Sequence, residues 1–280
     1  MKLAKTIVLV LFLFCSYAGR TQIKYEQQDK EILNEIFNQL NDYQRNSTSE
    51  LIVLAGKFFM ETPYVAHTLE TEPEQMVINL RELDCTTYAE NCLALARTIK
   101  SGNLSFNKFT NELTAIRYCN GIIKGYPSRL HYFSDWIYEN DKKGLIKKVS
   151  KEIANTPYPL AVDFMSTHHH SYKQLKNNSD LIPAISQREK EINTREMFYV
   201  PQNRISEFES KMQEGDIIGI CTSVKGLDII HVGILVTKNG RIHLMHASSA
   251  AEKVIISKNT LEEYLAENKL ATGIMIVRPI

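Results

Sequence analysis

The chain has 280 residues with 33 Lys+Arg against 32 Asp+Glu, a formal net charge of +1. That length buries a full core, either as one large domain or as one core with an elaborate insertion. The even charge balance provides no basic patch for nucleic acid or anionic lipid, so neither is expected as a partner. Independently of charge, a monomer is the expectation.

The first residues read as a targeting segment. Lys2 and Lys5 precede the apolar run IVLVLFLF (7–14), and small residues follow around Ser16 to Gly19. This is the layout of a secretory signal, 1–18, cleaved after Ala18. The run is short for a membrane span. Phe14 stands before Cys15 where a lipoprotein signal wants a small residue. Export to the periplasm without a stable membrane anchor is therefore expected. Cleavage removes both lysines and leaves a net charge of −1. Cys85, Cys92, Cys119 and Cys221 remain, too few and too irregularly spaced for a disulfide framework. Cys92, two turns after Cys85, reads as a small core hydrophobe. Cys119 and Cys221 read the same way, with a bridge between them left open.

Apolar residues recur at helical spacing in 29–40 and 49–60. A helix of good formers runs from Cys85 to Lys100 and stops at Gly102. Residues 105–119 and 131–140 continue the helical pattern, and a polar, less regular region runs to about residue 200. After Pro201 the chain changes to short β-rich runs: 216–222, 228–236, 241–247, 253–257 and 272–279. Asn239-Gly240 supplies a hairpin turn between two of them. Helices first and antiparallel strands second predict an α+β fold.

Cys85 opens its helix, where orphan backbone N–H groups and the helix dipole favour a thiolate. Its own amide is placed to serve an oxyanion hole. A buried structural cysteine is the competing reading, and position alone leaves both open. His231 begins an apolar strand that would otherwise take an aliphatic residue, 146 residues after Cys85. It reads as a general base for the thiol or as a satisfied core histidine. Beyond the turn, RIHLMHASS offers His243 and His246, which strand alternation puts on opposite faces. Only one of them can orient His231. His246 is the first choice and His243 the second.

These segments carry a resemblance. DCTTY (84–88), HVGIL (231–235), HASS (246–249) and the lead-in EGDIIGI (214–220) resemble the NlpC-type superfamily of papain-like cell-wall cysteine hydrolases. TPYVAHTLE (62–70) resembles the Pro-Tyr segment before that family's catalytic helix. The resemblance implies a papain-like core in which a Cys-bearing helix packs on an antiparallel sheet or barrel. It makes Cys85 the nucleophile, His231 the base and His246 the orienter, with Tyr64 beside the nucleophile helping to bind the oxyanion. The domain would span 24–280, with a large, mostly helical insertion at about 103–205. Within it, GYPSRLHYFSDWI (125–137) and AVDFMSTHHHSY (161–172) resemble an exported branch known mostly from Bacteroides-like bacteria. That branch implies N-acetylmuramoyl-L-alanine amidase activity on small anhydro-muropeptides, with no cofactor. Alternatives are a stem-peptide endopeptidase cutting between D-Glu and the diamino acid, a thiol acyltransferase, and a noncatalytic peptidoglycan-binding protein.

The other polar candidates each have two readings. Arg129, His131 and Trp136 either line a sugar-peptide cleft or serve capping, surface and packing roles. Asp163, Ser166 and His168 form a second candidate polar cluster. His168-His169-His170 point in different directions without carboxylates at ligand spacing, so no metal is expected. Asp84 is the helix N-cap or a contact to a substrate ammonium. Asp216 reads as a turn residue.

Overall fold

The computed structural model describes residues 23–280. The expected signal segment 1–18, with Cys15, lies outside them. The chain begins with β1 (Ile23–Lys24), α1 (Gln27–Leu40), α2 (Thr48–Phe58) and β2 (Met76–Val77). Then come α3 (Cys85–Lys100), α4 (Phe106–Arg117) and α5 (Phe133–Lys142). The next stretch holds β3 (Ile146–Lys148), α6 (Ser150–Ala154), β4 (Thr156–Tyr158), α7 (Phe164–Thr167), α8 (Lys173–Asn177), α9 (Ile182–Ile192) and β5 (Met197–Pro201). It closes with α10 (Ile205–Phe208), β6 (Ile217–Thr222), β7 (Ile229–Lys238), β8 (Arg241–Ser248), β9 (Lys253–Ile256), α11 (Leu261–Glu267) and β10 (Ala271–Pro279).

An antiparallel sheet of eight strands in the order β4-β5-β10-β6-β7-β8-β9, with β3 also on β10, forms the middle layer. Alternation loads both of its faces. Val232, Ile234, Met245 and Val277 join the core under α1 to α4. Ile220, Leu235, Leu244 and Ile274 join a second core with residues of α6, α10 and α11. Helix α3 lies against α2, α4, β7 and β8. Because it is enclosed on most sides, Tyr88, Cys92, Leu93, Ala96 and Ile99 are all buried.

The stretch 103–205 is mostly helical, but it also contributes three short strands to the sheet. Strands β3 and β5 pair directly with β10, and β4 extends the sheet from β5. Two of the three are only three residues long. Runs that short show no readable alternation. Among the described residues no helix is long and apolar enough to cross a membrane.

Two buried devices fix α3 and the start of β6. Glu90 of α3 accepts from Arg117 Nε at 2.7 Å, and Arg117 Nη1 donates to the Val77 carbonyl. Burial raises the Glu90 carboxyl, and the Arg117 charge works against that. Gly215 has φ +86°, and a Cβ there would lie 2.4 Å from the Ser49 carbonyl oxygen. Its N–H donates to Leu235 O at 2.8 Å. Asp216, expected at a turn, is fully buried and holds the Arg278 guanidinium through both oxygens at 2.8 Å.

Gly215→Ala should lower unfolding free energy by about 1–3 kcal/mol, through backbone strain and the clash with Ser49. Arg117→Ala should cost about 3–5 kcal/mol by leaving Glu90 buried without a countercharge. Denaturant midpoints check both. An Arg117→Met, Glu90→Leu double variant should recover most of the second loss.

Candidate active site

Asp84 builds the start of α3. Its carboxylate accepts from the Thr87 amide at 2.7 Å and from Thr87 Oγ1 at 2.9 Å, while the Asp84 amide donates back to Thr87 Oγ1. This closed capping box supports the N-cap reading of Asp84. Cys85 is then the first helical residue and is partly exposed.

Tyr64 comes to the same place through backbone pairing. Leu83 N–H donates to Pro63 O, Val65 N–H donates to Leu83 O, and Tyr64 N–H donates to Glu252 O. Residues 63–65 therefore run beside the entry to α3. Burial raises the Tyr64 hydroxyl, and the Cys85 and Asp84 charges add to it, so the phenol lies within electrostatic reach of the thiol.

The two histidines come from the β7–β8 hairpin. Its register pairs Ile234 with Met245 and Leu235 with Leu244. His231 Nε2 lies 2.5 Å from His246 Nδ1, with the rings perpendicular at 89°. His243 is buried elsewhere, its Nδ1 3.1 Å from the Ser257 carbonyl. Of the two histidines that alternation left open, the structure places His246 beside His231.

Electrostatics keep all three groups neutral. Burial drives His231 down to about 4. Burial and the neighbouring His231 charge drive His246 down to about 3. Burial and the Asp84 carboxylate push Cys85 up to about 11, against the pull of the Val232 backbone and Thr86. Val232 follows His231 in β7, so that strand is what approaches the thiol. Among the described residues no hydrogen bond joins Cys85 to His231; the thiol's contact is Thr86 Oγ1 at 4.0 Å. With His231 Nε2 taken by His246, Nδ1 is the nitrogen left to accept a thiol proton.

The insertion residues separate into groups. His131 and Trp136 line a cavity of about 30 Å³ with Thr86, Glu90 and Val232, beside the first turns of α3. His131 Nε2 meets the Tyr126 carbonyl at 2.9 Å, and burial lowers the ring to about 3. Arg129 is buried, its Nη2 2.9 Å from Glu70 and its Nε 3.6 Å from Glu74. That guanidinium is occupied by internal carboxylates, and the packing role describes what it contacts. Asp163 and His168 line a different surface pocket with Lys225. There His168 stacks on Phe164 at 4.1 Å, and Ser166 Oγ donates to the Asp163 carbonyl. Among the described residues no cluster of His, Cys, Asp or Glu suits a metal ion. The four cysteines 85, 92, 119 and 221 are free, so no bridge joins Cys119 to Cys221.

One neighbour of the site escaped sequence reasoning. Tyr264 of α11 packs its ring against His246 at 5.4 Å and 77°. A tyrosine on a short amphipathic helix after the last hairpin carries no signal of its own.

The fold has close relatives among solved structures. A Bacteroides uniformis protein described as an N-acetylmuramoyl-L-alanine amidase is 36% identical, over 83% of this chain and 98% of its own, with a TM-score of 0.80. A Bacteroides fragilis protein described as a putative xylanase is 38% identical, over 80% and 98%, with a TM-score of 0.77. A Legionella pneumophila protein at 22% identity, covering 90% and 95%, shares the fold with a TM-score of 0.66. No curated protein matches. The family model described as AmiA-like, N-acetylmuramoyl-L-alanine amidase-like, matches residues 54–274, and the chain belongs to that family.

Proposed function

We propose that this chain is an exported, cysteine-dependent N-acetylmuramoyl-L-alanine amidase with an NlpC-type, papain-like core, acting on small anhydro-muropeptides. The observation that carries the reading is the contact of His231 Nε2 with His246 Nδ1 on the strand that approaches Cys85 at its helix start. Family membership supplies the amide class. Thiol–imidazole geometry is commonly loose without substrate and tightens in the Michaelis complex.

In the proposed reaction Cys85 Sγ attacks the lactyl carbonyl of the muramic acid and passes its proton to His231 Nδ1. The Cys85 amide and the Tyr64 hydroxyl donate to the oxyanion. The imidazolium is held by donation from His231 Nε2–H to His246 Nδ1. His231 then protonates the departing L-alanine amine, and water hydrolyses the thioester. Neutral imidazole is the required resting form. Because burial lowers the His231 pKa, that form persists below the ordinary histidine range. No step calls for a cofactor.

Mass spectrometry of digests distinguishes the classes. Purified enzyme should release peptide from an anhydro-muropeptide and leave free stem peptide intact. Cleavage only of free stem peptide, between D-Glu and the diamino acid, overturns the amidase reading in favour of an endopeptidase. Cys85→Ala should lower turnover by roughly 10³-fold or more; unchanged cleavage would remove the thiol from the mechanism. His246→Ala should lower kcat by roughly 10²-fold, whereas His243→Ala should stay within about twofold. A loss confined to the His243 variant would reverse the assignment of the orienting histidine.

A further inference from the structure

The hydrogen bond between the histidines imposes a tautomer requirement. For His231 Nδ1 to take the thiol proton, Nε2 of that ring must carry hydrogen and donate to His246 Nδ1. His246 must then carry its own hydrogen on Nε2. That atom is buried, and among the described residues it has no hydrogen-bond partner. In the opposite tautomer, with hydrogen on His246 Nδ1, the lone pair moves to Nε2 and His231 Nδ1 becomes a donor that cannot act as base. Whatever adjoins His246 therefore decides whether the base is competent.

The neighbour is Tyr264, its ring 5.4 Å from the imidazole in an edge-to-face arrangement at 77°. Its position is held firmly. Thr260 and Glu263 close a capping box at the start of α11, Leu261 and Leu265 are buried in the second core, and Gln202 Nε2 donates to the Leu265 carbonyl. The Tyr264 hydroxyl is raised by burial and, next, by the Cys85 charge, so the side chain also stands within electrostatic reach of the thiol. The negative face of an aromatic ring favours an N–H beside it and disfavours a lone pair.

We propose that Tyr264 is a positioning residue: the face of its ring receives the His246 Nε2–H, holds His246 in that tautomer and so keeps His231 Nδ1 free as the base toward Cys85. The hydroxyl is not required for this, because the selection comes from the π system. The proposal rests on the Cys85–His231–His246 reading and deepens it, since it names what sets the proton positions of that site.

Nitrogen-15 NMR of histidine-labelled protein without substrate tests it, with His246 and His231 assigned through single variants. Wild-type protein should show His246 protonated at Nε2 and bare at Nδ1. Tyr264→Phe should keep that signature, with kcat/KM within about twofold of wild type. Tyr264→Leu should populate both tautomers and lower kcat about two- to fivefold, with KM little changed. The proposal is overturned if wild-type His246 carries its hydrogen on Nδ1. It is also overturned if the leucine variant retains the wild-type signature, or if the phenylalanine variant loses as much activity as the leucine one. The tautomer is read without turnover, so failure of wild-type protein to cleave the anhydro-muropeptide would overturn the proposed function while leaving this measurement decisive for Tyr264. Should the leucine variant not fold, the wild-type spectrum and the phenylalanine variant still decide.

Discussion

The register of the β7–β8 hairpin is the constraint on which the site depends. Asn239 and Gly240, at φ 53° and 77°, close the turn, and Lys238 pairs with Arg241. Positive φ at both central residues matches the twist of the flanking strands and fixes the pairing. From that point Ile234 meets Met245, and His246 arrives on the same face as His231. A slip of one residue would turn His246 away and put apolar Met245 or Ala247 in its place. The apolar sets on the two sheet faces resist such a slip, because each would be exchanged for the other.

A second theme is how the molecule uses its buried charge. Glu90 with Arg117 connects α3 to α4, and Arg129 with Glu70 and Glu74 connects the segment after α4 to the one before α3. Pairs like these contribute little net stability compared with apolar packing, but removing one partner leaves a costly uncompensated charge. They act as locks on relative placement. The start of α3 is consequently held from behind by the Glu90–Arg117 pair and from the front by the Asp84 capping box. Cys85 sits between these two supports, and the approach of β7 to its thiol follows from where α3 is pinned.

Much of this was legible beforehand. The helices at 27–40, 48–58, 85–100 and 106–117 and the strands after residue 216 carry clear periodicity, and their bounds fall within a few residues of expectation. The N-cap role of Asp84 and the opposite facing of His243 and His246 followed from local rules alone. Strands β3, β4 and β5 were not legible: three to five residues are too few to show alternation, and their β character comes from a neighbour supplied by β10. The roles of polar residues in the insertion were equally hidden. Arg129 looks the same in sequence whether its partner is a ligand carboxylate or Glu70, because the partner lies about sixty residues away along the chain.

The sequence by itself determined the cysteine at a helix start, the hairpin with its turn, and the pair of candidate histidines. Each of these is encoded within one or two turns of chain, where capping, alternation and turn chemistry act. Only the tertiary structure decided that His231 Nε2 meets His246 Nδ1, that Tyr264 packs against His246, and that Arg129 is held by internal carboxylates. Those contacts join segments far apart in sequence, and their energies depend on burial that no local pattern specifies. The neutral state of both imidazoles is of the same kind, since it comes from removal of water by strands and helices packed around them.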